Sequence, residues 1–342
     1  MTRNIFKACL GAAVMAVSVN AAAVTTITGA GSTFAYPMYA KWAEEYKSVG
    51  DMQLNFQPIG SAGGIRQIEA NTVTFGASDA PLNGAELKKN KLVQFPAIIG
   101  GTIPVFNLKD FKPGEIRLTG PMLADIYLGK IQKWNDPQIA KVNPGKKLPD
   151  QSITVVHRSD GSGTTFNFTD YLSSVSPDWN KQIGKGKSVE WPAPSSVGGK
   201  GNEGVAANVN RIAGSVGYVE YAYVMKNDMK YMLLENKDGN FVTPSADGFA
   251  GAAAGADWFS VPGMGISIVN QKGAKTWPIT TASFILMHET PKNKANAAET
   301  LKFFKWSFEK GQKAALSLDY VPLPASLTKQ IEEKVWPNIK VK

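Results

Sequence analysis

The chain has 342 residues, 43 % of them hydrophobic and only 19 % charged, with glycine, proline and aromatic residues near globular averages. That composition excludes disorder, collagen-like repeats and low complexity, and the length allows about two domains with real apolar cores. The 37 Lys and Arg against 28 Asp and Glu give a formal charge of +9, which invites a nucleic-acid reading that has to be tested against where the charges lie.

Residues 1–23 read as an export signal rather than as part of the fold. Arg3 and Lys7 precede an apolar run at 8–19, and Ala21, Ala22 and Ala23 supply the small residues of a cleavage site. The run is too short to span a bilayer, and no later stretch approaches the roughly 20 apolar residues of a crossing helix. Cleavage after Ala23 leaves 319 residues, a charge of +7 and no cysteine, because the one cysteine, Cys9, lies inside the signal. Cys9 also precedes most of the apolar run, where a lipid-anchored cysteine would follow it. With no thiolate and only His157 and His288 as imidazoles, structural zinc and thiol catalysis are excluded, and neither a metal nor a cofactor is expected.

From there, short apolar strands alternate with amphipathic helices. Residues 37–47 place Met38, Tyr39, Trp42 and Tyr46 on one helical face behind Pro37. Strand-like runs follow at 53–56, 73–77, 97–106, 153–157, 217–224 and 282–287, and the Gly/Ser/Pro-rich stretches 192–201 and 244–256 read as surface loops. The alternation predicts an α/β fold with mainly parallel sheets.

Three junctions repeat one pattern, in which a strand ends, small residues follow and a helix begins: TGAGSTFAY (28–36), IGSAGGIRQI (59–68) with Ser61 as the expected N-cap, and HRSDGSGTTFNF (157–168). Each offers hydroxyls and free N–H groups at the positive end of a helix dipole, the makings of an anion site. A dinucleotide fingerprint fails because Phe34 stands where the third glycine belongs, and Gly198-Gly199-Lys200-Gly201 lacks the spacing and hydroxyl of a P-loop. A hydrolase elbow fails because Asp160 stands two residues before Ser162. His157, on a strand, is read as a structural histidine. Arg158 can present a fork to two oxygens of a tetrahedral anion, held by Asp160. Asp79, in FGASDAP, is either a turn residue or a carboxylate that accepts a hydrogen bond from a protonated anion and repels one without a proton.

TGAGSTF (28–34), IGSAGGIRQI (59–68), FGASDAPL (75–82), DIYLGKIQKWND (125–136), RSDGSGTTFNF (158–168), GGKGNEGVAA (198–207) and GSVGYVEYAY (214–223) together resemble the periplasmic phosphate-binding proteins of ABC phosphate uptake systems, in the same order over essentially all of the chain after the signal. The resemblance implies a type II periplasmic binding fold of two α/β domains, residues 24–106 with 282–342 and residues 107–281. Two hinge crossings, near 104–109 and 278–284, would join them, with the ligand in the cleft between. It implies phosphate contacts from Thr33 (hydroxyl and backbone), Phe34 (backbone N–H), the Ser61 hydroxyl, Asp79 as acceptor, Arg158, and hydroxyl and backbone donors of Ser162, Gly163 and Thr164, with Asp160 orienting Arg158. It further implies a periplasmic monomer, not an enzyme, that delivers phosphate to a membrane permease with ATPase subunits and binds no nucleic acid. The other readings of an oxyanion cradle are a binding protein for a different oxyanion and a secreted phosphatase.

Overall fold

The computed structural model describes residues 25–342; the expected export signal and Cys9 lie outside the described residues. In chain order the first elements are β1 (Thr25–Gly31), α1 (Tyr36–Tyr46), β2 (Met52–Gln57), α2 (Ser61–Glu69), β3 (Phe75–Ser78), α3 (Gly84–Asn90) and β4 (Leu92–Phe106). There follow β5 (Arg117–Leu118), α4 (Gly120–Tyr127), α5 (Pro137–Val142), β6 (Thr154–Arg158), α6 (Gly163–Val175), α7 (Pro177–Gln182), β7 (Ser196–Gly199), α8 (Gly201–Arg211), β8 (Ser215–Glu220) and α9 (Tyr221–Lys226). The last are β9 (Lys230–Tyr231), β10 (Leu233–Glu235), β11 (Phe241–Val242), α10 (Ala246–Ala253), β12 (Thr280–His288), α11 (Lys294–Glu309), α12 (Gln312–Ser317) and α13 (Ala325–Gln330).

The main sheet runs β2-β1-β3-β12-β4-β8-β6-β7, with β9 added alongside β4. β4 organises it. All 15 of its residues are buried, as expected for a strand covered on both faces. Leu92 to Gly101 pair with β12, while Thr102 to Phe106 pair with β8, so one strand belongs to two lobes. At the change of partner Gly101 leaves room for Phe249, whose ring a Cβ there would meet at 2.1 Å. The chain returns beside this point, where Thr102 N–H donates to the Ile279 carbonyl at 2.8 Å. The architecture is the two-domain type II periplasmic binding fold.

Aromatic side chains fill the apolar core on both sides of this change of partner, within one continuous buried cluster. α1 buries Met38, Tyr39, Trp42 and Tyr46, the face read from its spacing. Phe75 and Phe95 meet Phe304 of α11 edge-on, with centroids 5.4 and 6.0 Å apart. In the second lobe Phe168 stacks on Tyr218 at 4.2 Å.

Four sequence expectations need correction. Parallel pairing holds for β1 with β2 and β3 and for β6 with β7 and β8, but β12 and β4 are antiparallel to their neighbours. The run 217–224 is a strand only as far as Glu220, whose carboxylate accepts from Ala222 N–H and caps α9. The stretch 192–201 contains β7, paired with β6 through backbone bonds that its glycines do not prevent. The stretch 244–256 contains α10, because Ser245 caps it, alanines favour it, and Phe249 and Ala252 bury one face.

Candidate functional site

The three junctions meet where the lobes face each other. β1 ends at Gly31, whose φ of +133 and position only 2.0 Å (for an added Cβ) from the Ala77 carbonyl admit no other residue. The turn that follows is tied down by Ser32, whose hydroxyl accepts from Ala35 N–H at 2.9 Å and donates to Asp79 Oδ1 at 2.5 Å. Two tyrosines hold its carbonyls: Tyr223 donates to Thr33 O at 2.7 Å and Tyr320 to Phe34 O at 2.6 Å. The N–H groups of Thr33 and Phe34 donate to no group among the described residues.

At the second junction the N-cap is Gly60, with φ 82, and Ser61 is the first residue of α2. The expected cap thus lies one residue earlier, because Ser61 is engaged elsewhere: its hydroxyl accepts from Asp79 N–H at 3.1 Å and donates to Asp79 Oδ2 at 3.3 Å. Asp79 is 1 % exposed. Burial pushes its carboxyl above the ordinary range, opposed by the hydroxyls of Ser32 and Ser283, the charge of Arg158 and the Ser61 hydroxyl.

At the third junction Arg158 ends β6 with its side chain 1 % exposed. Its Nε and Nη2 donate to the two oxygens of Asp160 at 2.7 and 2.5 Å, and Asp160 also accepts from Gly201 N–H at 3.0 Å. Burial alone would raise the Asp160 carboxyl, but the hydrogen bonds and charge of Arg158 outweigh it and hold it below the usual range. Ser162 caps α6, accepting from Thr165 N–H at 3.0 Å. Its own N–H is bound to the Lys187 carbonyl at 2.8 Å, so Ser162 can offer a ligand its hydroxyl but not its backbone. Gly163 and Thr164 N–H donate to no group among the described residues. His157 stacks on Trp191 with centroids 5.0 Å apart, and its Nδ1 lies 3.0 Å from the Arg158 carbonyl. It makes no bond to Ser162 among the described residues.

All nine residues expected from the sequence therefore border one place. The lobes are closed on each other there: Ala62 N–H donates to Gly161 O at 3.0 Å and Asn167 Nδ2 to Asp79 O at 2.7 Å, and a Cβ on Gly163 would sit 2.5 Å from Ser61 Oγ. Sequence reasoning missed Ser32, Asn167, Asn202 and Tyr223. Ser32 stood in plain view within GAGSTF, but the other three act across 88 to 190 residues of chain and carry no local signal.

Formally the site holds one cation, Arg158, and two carboxylates, Asp79 and Asp160. Attraction for an anion must come from oriented N–H groups, hydroxyls and helix N-termini. Among the described residues no cluster of His, Cys, Asp and Glu is arranged to hold a metal ion, and no helix is long and apolar enough to cross a membrane.

Residues 16–310 match the PBP superfamily domain. The phosphate-binding protein PstS of Xylella fastidiosa is 54 % identical over 306 residues, covering 90 % of this chain and 84 % of that protein. That of Pasteurella multocida is 52 % identical over 315 residues, covering 92 % and 91 %. Among solved structures, the phosphate-binding protein of Stenotrophomonas maltophilia superposes with a TM-score of 0.66 at 19 % identity, covering 90 % of this chain and 93 % of that one, a likeness of fold. With the three junctions converging in the cleft of this fold, the chain belongs to the PstS phosphate-binding proteins of the PBP superfamily.

Proposed function

We propose that this protein binds inorganic phosphate in the interlobe cleft, in the periplasm, and delivers it as a monomer to the permease and ATPase subunits of an ABC importer, without catalysis. The observation that carries the proposal is the set of unengaged N–H groups of Thr33, Phe34, Gly163 and Thr164 gathered with hydroxyls around one guanidinium. Thr33, Phe34, Ser61, Ser162, Gly163, Thr164 and Arg158 donate to the phosphate oxygens. Asp160 fills one edge of the Arg158 fork and Thr164 Oγ1 takes one Nη1 hydrogen, leaving the second Nη1 hydrogen and the remaining Nη2 hydrogen for the ligand.

Asp79 accepts the phosphate proton. Near neutral pH phosphate carries at least one proton and sulfate none, so sulfate would set lone pairs against a buried carboxylate. A site built around a required hydrogen bond rejects the analogue lacking it by roughly 10⁴ to 10⁵-fold. Ser61 has one hydroxyl proton, directed at Asp79 Oδ2 over a long 3.3 Å; donating to phosphate instead releases that oxygen to accept the phosphate proton.

The domains are residues 24–106 with 282–342 and residues 107–281, a reading supported by the partner change of β4 and by the Thr102 to Ile279 bond. Because the ligand touches both lobes it favours the closed form, and the closed form is the one the permease receives. Calorimetric titration of phosphate-stripped protein with phosphate, and with sulfate in parallel, tests this. Tight one-to-one phosphate binding with sulfate rejected is expected. Preference for sulfate, or turnover of phosphate esters, would overturn it.

A further inference from the structure

Asn202, at the start of α8, is fully buried and touches both lobes. Its Oδ1 accepts from Glu220 N–H at 3.0 Å, which fixes the amide so that Nδ2 faces the cleft. One Nδ2 hydrogen goes to Thr33 Oγ1 at 2.9 Å, across the cleft, and the other to Thr164 Oγ1 at 3.4 Å on its own side. Thr33 Oγ1 receives a second bond from Asn202 N–H at 3.3 Å, and Thr164 Oγ1 a second from Arg158 Nη1 at 3.4 Å. A hydroxyl has two lone pairs and one proton. With both lone pairs of each threonine filled by donors, what remains to each is a proton to give away, and neither gives it to a group among the described residues.

We infer that Asn202 is a positioning residue that makes Thr33 and Thr164 obligate donors toward the anion while latching the two lobes together. This rests on the phosphate reading above. Asn202 need not touch the ligand. A neutral amide suits the task, since it donates twice without adding charge to a site whose discrimination depends on Asp79. In a phosphate-free open cleft the Thr33 bonds are absent and that hydroxyl turns freely, so its orientation is set by closure itself.

The test is a double-mutant cycle on phosphate affinity and dissociation rate with Asn202→Ala and Thr33→Val, melting of the phosphate-free proteins serving as the folding control. If Asn202 acts through the Thr33 hydroxyl, Asn202→Ala raises the phosphate Kd about 30-fold, mostly through faster dissociation, but less than about 5-fold once Thr33 is valine. Equal factors in the Thr33→Val background and in a parallel Thr164→Val background would mean that Asn202 acts through neither hydroxyl and only packs, and would overturn the inference. Should Asn202→Ala not fold, the near-isosteric and neutral Asn202→Leu takes its place in the same cycle, with the same criterion. Failure of the native chain to bind phosphate at all would be a different result, removing the site reading and this inference with it.

Discussion

Gly163→Ala separates the open form from the closed one. Gly163 is the first residue of α6 and lies outside the positive-φ glycines, so alanine fits its backbone, and alanine is favoured over glycine within a helix by up to about 1 kcal/mol. The obstacle lies across the cleft. An added Cβ would stand 2.5 Å from Ser61 Oγ and 2.7 and 2.8 Å from the Cβ and carbonyl carbon of Asp79, all on the opposite lobe and two of them backbone or nearly so. Overpacking of this kind costs about 1–3 kcal/mol, and at about 1.4 kcal/mol per tenfold that weakens phosphate binding by roughly 5- to 150-fold. The phosphate-free protein melts at an equal or slightly higher temperature. Calorimetry supplies the affinity, thermal unfolding the stability, and small-angle scattering the contraction on adding phosphate, which shrinks in the variant. Native affinity together with native contraction would refute the closed geometry on which the site is built.

In Asp79→Asn the short bond from Ser32 keeps Oδ1 as an acceptor, so the amide NH₂ replaces Oδ2 and turns an acceptor into a donor; the phosphate-to-sulfate affinity ratio falls by about 100-fold or more in competition titration, and an unchanged ratio counts against the proton test. Arg158→Ala removes the charged donor and leaves Asp160 without its partner, which for a buried pair costs about 3–5 kcal/mol; phosphate affinity drops by about 10³-fold or more by calorimetry. Glu220 is fully buried, one of its oxygens has no partner among the described residues, and burial raises its carboxyl well above the ordinary range. A raised folded-state pKa means stability held at low pH and lost as pH rises through that pKa. Glu220→Gln is therefore more stable than the native chain at pH 8, by about 1–3 kcal/mol, and the gap closes toward pH 4 in denaturant unfolding; a gap independent of pH would show that ionisation is not the cause.

Local chemistry explains how much was readable beforehand. The α1 face, the strand ends and the residues at each helix start are short-range features, so Asp79 and Arg158 stood out from their own neighbourhoods, whereas Thr33 was named only through the family resemblance. Two errors were also local: Ser61 was read as a cap because a hydroxyl at a helix start usually is one, and α10 was read as a loop because glycine and serine masked its alanines and buried Phe249. The residues that escaped notice act only after the lobes close. Nothing around Asn202 or Tyr223 in the sequence tells that Thr33 lies beside them, and the filled lone pairs that turn a threonine into a pure donor exist only in three dimensions.

The insertion of β12 between β3 and β4 has a consequence for biogenesis. Those two strands are near neighbours in sequence, yet the strand that joins them in the sheet begins at Thr280. Until it is available, the central slot of the first lobe stays empty and the facing edges of β3 and β4 are unpaired, so contacts spanning about 200 residues cannot form before β12 is made. A nascent chain cannot finish its first lobe early. The facing edges of β3 and β4 depend on protection until the last fifth of the chain arrives.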